Sequence, residues 1–385
     1  MKQLVLGLLI SLIFILPIKA QFLFNLGIEE GAIVSAGDLQ FINDITTDLA
    51  VIFPLADKHS LITYYQLTYN GPGIVEGQEA SFSERAQSHY FMAKHLWKVS
   101  DKIFIKPKVG FLMEFNKFGK NEEWGEGLYD LNKFTFGSSF AYSDSLSFAY
   151  DFQIYKYPNY SDLYTLYLTD FTKDEPAEDY KNHRFSLSYK NSSLINSMVF
   201  LLEYDLSLSF YDNKKVLGVT GYTGPDDQKS THHYISFLPQ LKSGHVVLGL
   251  NLIGEINDSN QNYIFGYDPS SIQYKENFFS YTTGQVKPII SFLFGKEDSL
   301  SVMFSFLHKR YKNRPSQEPS GIFTRSRLYV ESLSAGLSYY VKLSKYFALN
   351  PSYAFVNTKS NNDYSQAADY NYDAHVVSIS LNYTY

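Results

Sequence analysis

The chain has 385 residues, no cysteine and a formal net charge of −6, with aromatic side chains at 17% of positions. The missing cysteine excludes a disulfide framework, and the acidic balance argues against nucleic acid as a partner. Beyond residue 20 no apolar run approaches the about 18 residues that a membrane-spanning helix needs, so helical spans are excluded too.

At the N-terminus, Met1 and Lys2 give a positive start, "LVLGLLISLIFILPI" an apolar run, and Ala20 a small residue at a cleavage position. This order reads as a secretory signal peptide over residues 1–20. A membrane anchor would need about 20 apolar residues and a stop-transfer flank, and Lys19 with the polar stretch after it argues against one. The remaining residues, 21–385, suffice for two ordinary soluble domains or one large closed sheet.

From there the same pattern recurs in chain order. "LAVIFPL" places Leu49, Val51, Phe53 and Leu55 on one side. "KIFIKPKVGFLMEF" places Ile103, Ile105, Val109, Phe111, Met113 and Phe115 against Lys106, Lys108, Gly110 and Glu114. "LSFAYDFQI" sets Leu146, Phe148, Tyr150, Phe152 and Ile154 against Asp151 and Gln153. "MVFLLEYDLSLSF" sets Phe200, Leu202, Tyr204, Leu206, Leu208 and Phe210 against Glu203, Asp205, Ser207 and Ser209. Period two accounts for all of these and helical spacing for none. The pattern predicts about sixteen strands, near 23–35, 43–55, 60–70, 86–99, 103–116, 128–142, 146–157, 181–190, 197–211, 231–242, 246–257, 281–294, 300–311, 326–341, 345–356 and 374–385. Fourteen strands is the lower bound, and no domain boundary interrupts them.

The connections sort by parity. Those near 56–59, 100–102, 143–145, 191–195, 243–245, 295–299 and 342–345 are tight and polar. Those between, near 70–84, 117–127, 158–180, 212–230, 259–280, 312–325 and 358–372, are long, while the first, near "GDLQFI", is short. A soluble sandwich has no reason to sort loop length in this way, whereas a barrel threaded through a membrane places short turns on the periplasmic side and long loops outside. Hydrocarbon demands that every backbone group be paired, which leaves a closed barrel as the β solution. The apolar faces must then point outward and the polar faces into a wet lumen. Pro107, Pro288 and Pro351 fall on outward positions within strands, where they are expected to mark bulges or irregularities.

The chain ends on "SISLNYTY", with Val377, Ile379, Leu381, Tyr383 and Tyr385 alternating against Ser378, Ser380, Asn382 and Thr384. With the pattern above, this resembles bacterial outer-membrane β-barrels across essentially all of residues 21–385. The resemblance implies an all-β, transmembrane, antiparallel up-and-down barrel. It also implies that the last strand closes the sheet on the first and is read by the barrel-assembly machinery. Ser378, Tyr383 and Tyr385 match the family's terminal signal, and Ser380 stands where glycine is usual.

Catalysis is not expected. Lipase-type barrels of this class resemble one another in a His-x-Ser constellation, and none of the nine histidines here has serine two residues later. His232 and His233 are neighbours in a strand and should face opposite ways, so no shared metal ion is expected. The histidines read as rim or structural residues. Asp174, Glu175, Glu178 and Asp179, and Asp363, Asp369 and Asp373, lack calcium-loop spacing and read as solvated loop acids. Neither a cofactor nor a metal is called for.

Alternation assigns Lys94, Lys106, Lys108, Lys133, Arg184, Lys287 and Lys309 to the lumen, with Glu29, Asp48, Glu114, Asp151, Glu203, Asp205 and Glu255. Lys94, Lys106, Lys108 and Lys133 fall on adjacent strands, with the acids richer over 203–255, so a transverse field and a plain hydrated wall are both open. Sixteen strands leave an aqueous channel, and no plug precedes the first strand. The leading expectation is a porin-like channel for passive diffusion of small hydrophilic solutes, standing in outer-membrane lipid, with "YSDLYTLYLTDF" as a candidate inward-folded constriction. The alternative is a surface-binding, adhesion or export-associated barrel acting through Tyr-rich outer loops. Whether three barrels pack as a homotrimer is left open.

Overall fold

The computed structural model describes residues 20–35, 38–71, 85–117, 123–160, 178–195, 198–219, 223–265, 273–295, 297–364 and 371–385. The strands are β1 (Gln21–Ser35), β2 (Asp38–Ala56), β3 (His59–Gly71), β4 (Arg85–Lys98), β5 (Ile103–Lys117) and β6 (Leu131–Tyr142). There follow β7 (Leu146–Lys156), β8 (Tyr180–Ile195), β9 (Met198–Leu217), β10 (Thr223–Ser243), β11 (Val246–Ser259), β12 (Tyr263–Phe265) and β13 (Gln273–Lys275). The last five are β14 (Tyr281–Phe294), β15 (Asp298–Gln317), β16 (Phe323–Lys342), β17 (Phe347–Ser360) and β18 (Tyr372–Thr384). Sixteen of them close into one antiparallel barrel in chain order, β11 pairing with β14, while β12 and β13 form a separate hairpin in the connection between those two. The leader segment and "SDLYTLYLTDF" lie outside the described residues.

The wall is inside out relative to a soluble barrel. On β6, Phe134, Phe136 and Phe140 are 39–50% exposed, while Thr135 and Ala141, at alternate positions, are at most 7% exposed. The alternation of the strands is thus resolved into an apolar outer surface and a polar inner one, the surface of a barrel standing in a bilayer. On its outer side the apolar band ends at a ring of imidazoles. His89, His183, His233 and His375 each lie 2.8–2.9 Å, through Nδ1, from the hydroxyl of a tyrosine on the adjacent strand: Tyr65, Tyr150, Tyr204 and Tyr353. Each pair satisfies two polar groups that would otherwise meet hydrocarbon alone. At the opposite end the turn after β4 is clasped by Lys98 on Asp101 at 2.7 Å, which holds the Asp101 carboxyl below its usual range.

The last strand closes the barrel on the first. β18 pairs with β1 from Asn25↔Thr384 to Ser35↔Ala374. Beyond that ladder the Tyr385 amide donates to the Phe24 carbonyl at 2.8 Å, and the Phe24 amide donates back at 3.1 Å. Tyr383 packs its ring on Phe347, Phe24 and Tyr346, so the outer side of the seam is aromatic. On the inner side Ser378 is buried opposite Gly31 and hydrogen-bonds Ser352 at 2.7 Å.

Two sequence expectations are corrected. The connections near 212–230 and 312–325 are largely strand, because β9, β10, β15 and β16 run on past the apolar band with bulges at Asp227 and Pro315. Both faces of those extensions meet water, so the alternation that marks a strand inside the membrane fades there. The prolines are not bulges. Pro107 stays in register with Ser138, Pro288 with Leu250 and Pro351 with Ile379, and on its other side each keeps the same register across a gap in the ladder. The missing N–H removes a bond without adding a residue.

Candidate functional site

The inward rows on β4 to β9 can be followed strand by strand. Cross-strand pairing sets Lys94 opposite Lys108, Lys108 opposite Gly137, Gly137 opposite Asp151, and Asp151 opposite Arg184. The Lys108 ammonium donates to Asp151 Oδ2 at 2.8 Å. Asp151 is 7% exposed, and its other oxygen lies against the backbone of Gly137, where a Cβ would come within 2.0 Å. Only glycine lets the carboxylate sit there. Lys94 lies within electrostatic reach of Lys106, Lys108 and Asp151, and Lys133 of Glu114, Arg184, Asp151 and Lys108. Arg184 donates to Asp205 at 3.0 Å, and Ser186 donates to the same carboxylate.

Two inward rows nearer the outer mouth, Lys133, Tyr155, Tyr180 and Tyr211 stand side by side. The Tyr155 and Tyr180 rings stack at 4.2 Å, Tyr211 lies 5.0 Å beyond, and the Lys133 ammonium sits 5.6 Å from the Tyr155 centroid. Beneath them Asn182 donates to Gln153 at 2.9 Å and Tyr155 donates to the same oxygen at 3.1 Å. These inward tyrosines were missed in the sequence because tyrosine was read as part of the outer wall. The signal was there: Tyr155 and Tyr211 are out of phase with the apolar positions of their own strands.

All of the sequence-assigned lumenal residues lie on the inner face. Lys94, Lys106, Lys108, Lys133 and Arg184 are brought together with Asp151 and Glu114. Glu203, Asp205 and Glu255 lie on β9 and β11, Glu29 and Asp48 on β1 and β2, and Lys287 and Lys309 on β14 and β15. Asp48 accepts hydrogen bonds from Tyr64 at 2.6 Å and Gln66 at 2.8 Å. Lys309 sits 3.8 Å from the Tyr281 ring centroid. Inner positions of β16 to β18 hold serine, asparagine and threonine interspersed with alanine and valine, the polar ones linked by pairs such as Ser338 to Asn350 at 2.8 Å. The lumen thus has a basic sector, acidic sectors on either side of it and a neutral hydroxyl sector.

Among the described residues no group of three or more His, Asp or Glu could hold a metal ion. His232 turns to Glu255 at 4.0 Å, and His233 turns to Tyr204 on the outer wall. Of the loop acids, Asp179 is held by Lys156 and Glu178 by Lys214, while Asp174, Glu175 and Asp369 lie outside the described residues.

No protein-family model and no curated protein sequence matches the chain. Solved structures match in fold. OccAB1 of Acinetobacter baumannii superposes with a TM-score of 0.54 at 10% identity, over 95% of this chain and 96% of that one. A doubly substituted OccD1 (OprD) gives 0.53 at 9%, over 94% and 96%. OmpT, an outer membrane protein of Vibrio cholerae, gives 0.49 at 8% in its trimer form, over 95% and 99%. With a closed sixteen-stranded wall, an apolar exterior and a polar lumen, the chain has the fold of the porin-like β-barrels of bacterial outer membranes.

Proposed function

We propose that the protein is an outer-membrane channel for passive diffusion of small hydrophilic solutes, and that the basic sector of β4 to β8 favours anionic ones. The observation that carries this reading is the closed barrel of sixteen strands lined by charged and hydroxyl side chains. A wall of that size leaves water inside rather than filling with its own side chains. Five cations on neighbouring strands, with Asp151 and Glu114 among them, set a positive potential along one side of the water. Liposome swelling tests the reading. Vesicles holding the refolded chain should swell in small neutral and anionic solutes faster than empty ones, and Lys94→Gln with Lys106→Gln should slow the anionic solute relative to a neutral one of equal size. Swelling no faster than empty vesicles, with the barrel folded, would contradict it.

A second reading, recognition at the outer surface, is favoured by one feature. Beyond the membrane the chain builds a packed outer layer: Tyr263 stacks on Phe278 at 4.4 Å, Arg314 covers Phe278 at 5.0 Å, and Asn262 donates to the Leu217 carbonyl at 2.7 Å. A protein acting through that layer with a closed lumen would fail the swelling test while remaining folded.

A further inference from the structure

The outer wall above the apolar band is neutralised on one side of the barrel and not on another. On β7 to β9 the outward cations at this level meet carboxylates: Lys156 reaches Asp179 at 2.7 Å and Asp212 at 3.2 Å, and Lys181 reaches Asp212 at 2.8 Å. On β15 to β17 the outward positions at the same level are Arg310, Arg325, Arg327 and Lys359, all exposed. Among the described residues none of these four has a carboxylate within ion-pairing distance.

Register places them together. Arg310 pairs with Tyr329, and Arg327 is the next outward residue along β16, so the two stand on adjacent strands where the ladder leaves register before Pro315. His308 stands opposite Glu331, and Glu331 stands opposite Lys359. Glu331 is held by His308 at 3.1 Å, and the other outward acid nearby, Asp373, accepts from Asn357. Among the described outward residues of these strands, four cations therefore share two acids that are already engaged.

The patch begins where the hydrocarbon-facing wall ends. Below it, toward the short turns, lie Phe304 and Phe306 on β15, Leu333 and Leu337 on β16 and Tyr353 on β17, between 42% and 52% exposed. From Val341 to Leu333 the outward face of β16 is apolar, a strand length of about 27 Å, or about 21 Å along the barrel axis at a usual tilt. That is close to the height of the lipid-facing band of such barrels, about 25 Å. Acyl chains lying on this wall bring their headgroups to Arg310 and Arg327.

We propose that the outward face of β15 to β17 is a docking site for a phosphorylated lipid headgroup of the outer leaflet, its phosphate taken by Arg310 and Arg327 with Lys359 and Arg325 at the margin. Guanidinium groups suit phosphate because they donate two parallel hydrogen bonds and are weakly hydrated. The proposal rests on the barrel standing in a membrane, and not on conduction through it.

The test uses the full refolded chain in phosphatidylcholine vesicles doped with equal amounts of lipid A in its phosphorylated and phosphate-free forms. After mild detergent extraction, native mass spectrometry counts the lipid that stays bound. The wild-type protein should retain the phosphorylated form by about tenfold, the value of one well-made charge-assisted contact. Arg310→Gln with Arg327→Gln should bring the two forms to near parity, while Lys181→Gln, on the neutralised side, should keep the preference. Arg327→Gln alone, at an exposed position, serves if the double variant does not fold by heat-modifiable mobility. Parity in the wild-type protein, or a preference that the arginine variants keep in full, would overturn the site. Loss of the wild-type preference under excess inorganic phosphate would show a free-ion site and overturn the lipid assignment.

Discussion

Lys108 and Asp151 form an ion pair at 2.8 Å across a strand that puts no side chain between them. The residue they bridge is Gly137, opposite both, and a Cβ there would stand 2.0 Å from Asp151 Oδ1 and 2.8 Å from the Tyr150 carbonyl. Gly137→Ala should therefore push the carboxylate away from Lys108. Overpacking of this kind typically costs about 1–3 kcal/mol. The midpoint of urea unfolding in lipid should fall accordingly, and an unchanged midpoint would show that the pair relaxes without strain.

Asp151→Asn keeps the size of the side chain and removes its charge. Lys108 has 23% and Asp151 9% of its side chain exposed, so the pair is partly desolvated and the lost charge is felt by Lys94, Lys133 and Arg184. One positive charge in the basic sector is then no longer offset. Under a salt gradient the reversal potential should move toward that of the anion, whereas a shift toward the cation would contradict the lumenal placement of Asp151.

Parity assigns the faces of β9, and charge placed on each should behave oppositely. Leu206→Arg puts a guanidinium on the hydrocarbon side and should cost on the order of 2–4 kcal/mol near mid-bilayer. Asp205 is a poor partner for this comparison because Arg184 and Ser186 both hold it. Glu203, two residues along on the same inner face, is the better one, and Glu203→Arg should fold with little loss. Equal destabilisation of the two variants would refute the inside-out wall.

At the seam, removal of Tyr385 deletes both backbone hydrogen bonds to Phe24, and Tyr383→Ala strips the ring from Phe24, Tyr346 and Phe347. Loss of a buried-type aromatic contact costs about 3–5 kcal/mol in a core and less at a lipid-facing seam. Each change should lower the fraction of heat-modifiable, folded barrel. Full yield from both would mean that closure does not depend on the terminal aromatics.

The barrel was legible because lipid enforces what water does not. Leu206 beside Asp205, or Phe136 beside Thr135, must part to opposite faces, and that necessity writes a period of two into the chain. Where the strands leave the membrane the necessity ends, and the outer ends of β9, β10, β15 and β16 fall in stretches that the sequence pattern assigns to loops. The cationic sector was visible in Lys94, Lys106, Lys108 and Lys133 from parity and strand order alone. Its completion was not: Asp151 meets Lys108 only because Gly137 lies between them, a register that the loop after β5 and the turn after β6 must first set. The tyrosine row failed for another reason, since tyrosine serves both a lipid border and a lumenal wall, and only its phase distinguishes them.

The central claim is that water and solute pass through the lumen of this barrel. Single-channel recording of the refolded full chain in a planar bilayer tests it most directly. Discrete ohmic current steps, with a reversal potential that moves on Asp151→Asn, are the predicted result. Folded, heat-modifiable barrels that insert and carry no current steps would contradict it.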